Sequence, residues 1–252
     1  VLLLLPPSET KRPGGDRPPI DLGGLRLPSL RRHREDVAEA LVALSADADR
    51  AARVLKLSER QRGEIAHNAA LLTAPTMPAM DRYTGVLFDA LDAASLSAAA
   101  RGWLARHALI QTAPFGPIGA GDLVPAYRLA AGTSLPGVPA LRRHWAGPTG
   151  EALREAADGL VVDLRSKAYV DLGPVPDDVA SVYVSVVAEG ADGAVRALNH
   201  FNKKAKGLFV RALAESRPTW RTADGLLAWA ADAGLDLRPG ESSREVLLFA
   251  RE

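Results

Sequence analysis

The sequence predicts an α+β (mixed α/β) fold, a mixed β-sheet flanked by helices, and three observations carry that reading. Short apolar or β-branched runs at Val1–Leu5, Ala108–Thr112, Leu160–Leu164, Ser181–Ala188 and Val246–Ala250 read as strands. Segments of helical periodicity separate them without strict alternation and without an internal repeat, which points to a mixed sheet. With 252 residues the chain can bury a substantial core, and the reading is one domain over residues 1–252.

Taken in order, Val1–Leu5 is an uninterrupted apolar run stopped by Pro6-Pro7, the pattern of a central strand buried on both faces. Lys11 to Pro28 is dense in Pro, Gly and charge, so a long loop and a candidate lid are expected there. Arg31–Ser45, Asp47–Leu55 and Ser58–Leu72 read as three short helices, the last capped by Ser58. After the proline-punctuated link Ala74–Met80, Tyr83–Phe88 looks extended, and a helix is expected over Leu96–His107. Pro114–Pro125 holds three prolines and three glycines and reads as a stiff loop that positions side chains. Leu141–Ala157 is helical with a break expected at Gly147-Pro148, and a further helix follows at Thr222–Gly234.

Between the last two strands lies the most distinctive string, Asn202-Lys-Lys-Ala-Lys-Gly-Leu-Phe-Val-Arg211. On a helix Phe201, Ala205, Leu208, Phe209 and Ala212 fall on one side, and Lys203, Lys204 and Arg211 gather on the other. Gly207 projects between those cations, and a helical glycine costs about 1 kcal/mol relative to alanine. Something therefore approaches the backbone there, either a ligand phosphate or another chain segment. A lysine-rich face that is only solvated surface is the plain alternative.

Composition removes several classes of chemistry. Lys plus Arg total 31 against 30 Asp plus Glu, so attraction for nucleic acid must come from local clusters. There is no cysteine, hence no thiolate nucleophile, disulfide, cysteine-ligated metal or sulfenic acid chemistry. The five histidines, His33, His67, His107, His144 and His200, have no metal-ligand spacing, so no metal site is expected. No Walker or haem attachment motif is present and no cofactor is expected. No apolar run approaches the roughly 20 residues of a membrane span, and a cytoplasmic protein without a membrane partner is the expectation.

Several strings occur together and in order: Pro7-Ser8-Glu9-Thr10-Lys11 after the first strand, Tyr83-Thr84-Gly85, Gly116 to Asp122 leading into Tyr127-Arg128-Leu129, the single position Trp145, Asp163-Leu164-x-Ser166-x-x-Tyr169, and Lys203-Lys204-Ala205-Lys206-Gly207. In this order and over almost the whole chain the sequence resembles the YaaA (DUF328/UPF0246) peroxide stress family. The resemblance implies a fold peculiar to that family, a cytoplasmic location, a part in limiting peroxide damage and an association with DNA. One departure is Lys206, where the family usually has arginine; the charge stays and the planar two-point fork is lost.

Residue chemistry and resemblance together nominate a site. Lys11, Arg128, Lys203, Lys204, Lys206 and Arg211, with the Gly207 gap, would bind phosphate or nucleic acid. Ser8, Thr10, Tyr83, Gly85, Asp122, Tyr127, Trp145, Ser166 and Tyr169 would line the pocket, although Tyr and Trp are equally suited to anchoring a core. Glu9 is the first candidate for proton transfer, with Ser8, Tyr83 and Tyr169 as further catalytic candidates. Asp122 and Arg128 could pair across the stiff loop. DNA is the leading partner, read by the basic helix. An enzyme acting on a small nucleotide or nucleobase, with peroxide as a possible co-substrate, is the alternative, and neither activity nor oligomeric state follows from the sequence.

Overall fold

The computed structural model describes residues 1–189, 195–197 and 202–250. In chain order the elements are β1 (Leu2–Leu5), α1 (Arg31–Ser45), α2 (Ala48–Leu55), α3 (Ile65–Ala69), β2 (Met77–Pro78), α4 (Ala79–Arg82), α5 (Val86–Leu91), α6 (Ala98–His107), β3 (Ala108–Thr112), β4 (Gly116–Gly119), β5 (Leu123–Val124), α7 (Leu141–Ala156), β6 (Val161–Asp163), α8 (Lys167–Val170), β7 (Ser181–Glu189), β8 (Val195–Ala197), α9 (Asn202–Ser216), α10 (Ala223–Asp232), β9 (Leu237–Pro239) and β10 (Glu245–Phe249). Among the described residues the main sheet runs β4-β3-β1-β6-β7-β10-β9, with β8 beside β7. The five inner strands are parallel, whereas β4, β8 and β9 pair antiparallel to their neighbours. The mixed sheet with helices is the fold class expected from the sequence.

Order and direction place a topological switch point. From β1 the chain moves to β3 and β4 on one side, then returns to β6 on the other side of β1 and continues to β7. The connections leaving β1 and β6 thus diverge, and in open α/β sheets ligands bind outside the carboxyl ends of such a strand pair. Leu2 to Leu5 are all buried, as expected of a strand covered on both faces.

Four local expectations are corrected. Tyr83 and Thr84 are extended, but Val86–Leu91 is the helix α5, with Leu87, Phe88 and Leu91 buried. Leu87, Phe88 and Leu91, spaced at i, i+1 and i+4, supply one apolar helix face, while Val86 is left exposed. Pro114–Pro125 is not wholly loop, because β4 and β5 lie within it. Pro117 is accommodated because β4 is an edge strand and its missing N–H faces no neighbour. Helix α7 runs without interruption through Gly147 and Pro148, with Leu141, Trp145, Ala152 and Leu153 buried on both sides of the proline. Finally, the Lys11–Pro28 segment is tied down. Arg17 and Thr76 exchange two backbone hydrogen bonds of 3.1 Å, Arg12 N–H donates to Arg82 O at 2.8 Å, and Thr76 Oγ1 donates to Pro18 O at 2.6 Å.

Two buried arginines complete this anchoring. Arg34 donates to the carbonyls of Phe115, Arg26 and Pro117 at 2.6–3.0 Å. Arg82 donates to those of Val124, Arg12 and Pro75 at 2.5–3.3 Å. Both are fully buried, and main-chain carbonyls satisfy them where a carboxylate would be the usual partner.

Candidate functional site

The loop after β1 lies antiparallel to the segment after α4. Lys11 forms an isolated bridge with Tyr83, and Thr84 N–H donates to Thr10 O at 3.2 Å. Gly85, at φ +94°, allows this approach: a Cβ there would stand 3.1 Å from Ser8 Oγ and 3.3 Å from Thr10 Oγ1. Ser8, Thr10, Lys11, Tyr83 and Gly85 are thus brought to one place.

Lys11 occupies its centre. Its ammonium donates to Ser8 O at 3.0 Å and Glu9 O at 3.2 Å, and stands 4.1 Å from the Tyr127 ring centroid and 5.5 Å from that of Tyr83. Desolvation pulls it down to about 8, against the opposing pull of Glu9. The carbonyls and the ring face hold the charged form in place. Beneath it the Tyr83 and Tyr127 hydroxyls are 2.7 Å apart. Burial raises both phenols above their ordinary range, and Tyr169, partly buried beside Glu9 and Arg128, is raised for the same reason. Two hydroxyls sharing one hydrogen bond leave one O–H still to be given.

Arg128 brings the second charge. Its guanidinium lies 3.0 Å from Glu9 and 3.6 Å from Glu64. Its backbone is clamped by Asn68, which accepts from Arg128 N–H at 2.7 Å and donates to Arg128 O at 2.8 Å. Helix α3 therefore sets Arg128 in place, a role that neither Asn68 nor Glu64 signalled in the sequence. An Asn on a short polar helix has no pattern that distinguishes a clamp from a surface residue.

On the β6 side the chain turns through a buried polar cluster. Asp163 accepts from Arg165 N–H at 3.0 Å and from its guanidinium at 2.9 and 2.7 Å, which also donates to Gln111 Oε1 at 3.1 Å and Gly173 O at 2.7 Å. Asp163 thus caps the turn at Arg165. Ser166 is exposed and its carbonyl opens α8, which carries Tyr169. Lys206 is buried: its ammonium donates to Leu164 O at 3.0 Å and stands 5.1 Å from the Tyr183 ring. Desolvation draws it down to about 8, with Asp163 opposing.

The remaining basic-helix residues are dispersed. Lys203 and Lys204 are exposed, with no ion pair among the described residues. Arg211 bonds to Leu91 O at 3.1 Å, Ser95 Oγ at 2.9 Å and Glu215 at 2.9 Å, joining α9 to the turn after α5. Gly207 meets another chain segment: a Cβ there would collide with Leu87 O and lie 2.8 Å from Ala90 Cβ. The glycine therefore serves the close crossing of α5 and α9. His200 and Phe201 lie outside the described residues.

Two nominated pocket residues lie elsewhere. Trp145 is fully buried, donates to Ala113 O at 2.9 Å and underlies Gly116, whose φ of +62° leaves no room for a side chain above the indole. Asp122 accepts from Arg26 N–H and Gly119 N–H at 2.8 Å, and desolvation raises its carboxyl. Asp122 thus fixes its own turn, whereas Arg128 pairs with Glu9 and Glu64. Among the described residues no group of three or more His, Asp or Glu is placed to hold a metal, and no helix is long and apolar enough to cross a membrane.

Comparison with known proteins supplies the context for this site. A family described as "Peroxide stress protein YaaA" matches residues 1–239. A UPF0246 protein of Corynebacterium glutamicum (strain R) is 44% identical over 251 residues, covering 98% of each chain. The UPF0246 protein SCO2297 of Streptomyces coelicolor is 46% identical over 215 residues, covering 84% of this chain and 82% of its own. Together with the ordered strings in the sequence, these matches establish that the chain belongs to the YaaA peroxide stress protein family.

Proposed function

We propose that the crevice at the ends of β1 and β6 binds a small nucleobase or nucleotide as this protein's part in the response to peroxide stress. The observation that carries the reading is the charge balance around Lys11. Its ammonium is engaged by two carbonyls and a ring face, and Arg128 faces both Glu9 and Glu64. Arg82, the further cation near Lys11, is fully buried on main-chain carbonyls, so the cations facing a ligand, Lys11 and Arg128, are offset by Glu9 and Glu64 and offer little surplus for a run of phosphates, whereas a base needs acceptors, hydroxyls and a flat face. Glu9, 54% exposed in its side chain, supplies the acceptor; Ser8, Thr10 and the Tyr83–Tyr127 pair supply hydroxyls; Tyr169 supplies a ring on which a base stacks. Glu9 is also the group we assign to proton exchange with the ligand.

The second reading is DNA binding, favoured by Lys203 and Lys204 standing exposed and unpaired among the described residues. Phosphate contacts release counterions and make affinity fall steeply with salt, and a neutral base in a crevice does not share that dependence. Titration with nucleobases, nucleosides, mononucleotides and a fluorescent duplex, at low and physiological salt, separates the two. Saturation by one small ligand, insensitive to salt and weakened about tenfold by Glu9→Gln, a loss of the size of one charge-assisted hydrogen bond, is expected. Duplex binding that persists at physiological salt and disappears in Lys203→Glu, with no small ligand bound, would replace it with the DNA reading.

A further inference from the structure

Helix α9 presents a second face, away from the β6 loop. While Lys206 points to the β6 loop, Lys204 and Leu208 border a cavity of about 450 Å³ between α9, the Gly234–Asp236 turn that joins α10 to β9, and the end of β10. Leu208, Phe209, Leu248 and Phe249 make its apolar wall. Leu208 is 49% exposed, among the most exposed large hydrophobic side chains described. A volume of this size is in the range that takes a small organic ligand, roughly 300–1,000 Å³.

The charges at the wall select the ligand. Asp236 lies 2.7 Å from Arg238, whose guanidinium in turn covers the Phe249 ring at 4.0 Å. That carboxylate is matched. Lys204 also lines the cavity and has no ion pair or hydrogen bond among the described residues. Among the described residues the site therefore presents an apolar wall with one cation at its border that no carboxylate matches. Leu208, one turn further along α9, shares that border, so one ligand can span both.

We propose that this cavity binds an amphiphilic carboxylate, with its apolar body against Leu208, Phe209, Leu248 and Phe249 and its carboxylate on Lys204. The site is separate from the crevice at β1 and β6, and its occupancy does not depend on the ligand assigned there.

The test uses decanoate below its micelle concentration, with decanol and decylamine as charge controls, in calorimetry on the full chain. Saturable decanoate binding is expected, with decanol weaker and decylamine weakest. Lys204→Glu should lower decanoate affinity at least tenfold and leave decanol affinity unchanged. Leu208→Glu should weaken both. Each substituted side chain is exposed, and circular dichroism with thermal melting verifies that the variants remain folded. Absence of saturable decanoate binding, or decanoate affinity that Lys204→Glu leaves intact, overturns the proposal.

Discussion

At the scale of single residues, the two buried lysines make stability depend on pH in a defined direction. Lys206, with an ordinary value of 10.5, stands at about 8 in the folded protein because burial disfavours its charge. Between those values the unfolded chain holds the proton that the folded one has lost, so stability rises with pH across that window. Urea unfolding at pH 7 and pH 9 should show a gain of about 1 kcal/mol from Lys206, and Lys206→Met should remove it. Lys11, drawn down to a similar value, adds a second increment of the same sign that this variant retains. Asp163→Asn tests the neighbouring cluster. It leaves the fully buried Arg165 without its carboxylate, and breaking such a pair costs about 3–5 kcal/mol, read as a lower denaturant midpoint. At this scale the sequence was most legible where residues are joined by a local string. Ser8, Thr10, Lys11 and Tyr83 could be nominated from such strings, and the structure brings them together. Asn68, Glu64 and Gln111 could not, because each acts on a partner more than fifty positions away.

At the scale of elements, the crossing of α5 and α9 explains both a correct inference and a displaced one. The sequence cost of a helical glycine signalled that something closely approaches Gly207. The approaching group is the Leu87 carbonyl of a helix that had itself been read as extended. Gly207→Ala should therefore destabilise, since overpacking costs about 1–3 kcal/mol and exceeds the helix propensity gained. A lower thermal midpoint is expected, whereas Lys203→Ala, on the exposed side of the same helix, should leave it unchanged. The same comparison separates the remaining elements. Strand β1 announces itself because burial on both faces demands uninterrupted hydrophobic residues, and β7 because a long β-branched run alternates buried and half-buried positions. Strand β9 does not, being three residues long with Arg238 and Pro239 exposed at the sheet's margin. Strand β4, Gly-Pro-Ile-Gly, is concealed by the two residue types that most often mark turns.

At the scale of the molecule, one contiguous set of buried side chains runs from β1 through the helical layer to β10. Residues 1–252 are accordingly expected to unfold as a single unit. Tryptophan fluorescence, which samples Trp103, Trp145, Trp220 and Trp229, and far-ultraviolet dichroism should give coincident urea transitions; separated transitions would divide the chain into two units. The fold class was readable because periodicity and strand composition are summed over many residues. The crevice was readable only in part, because the divergence of β1 and β6 depends on strand order, which local pattern does not encode. Arg34 and Arg82 have a practical consequence at this scale. Their hydrogen bonds end on neutral main-chain carbonyls, so the loops they hold have little dependence on paired charges that salt would screen. Ionic strength can thus be raised as an experimental variable without loosening these loops, and a change in binding then reports the charges of the ligand and of the Arg128–Glu9–Glu64 set that faces it.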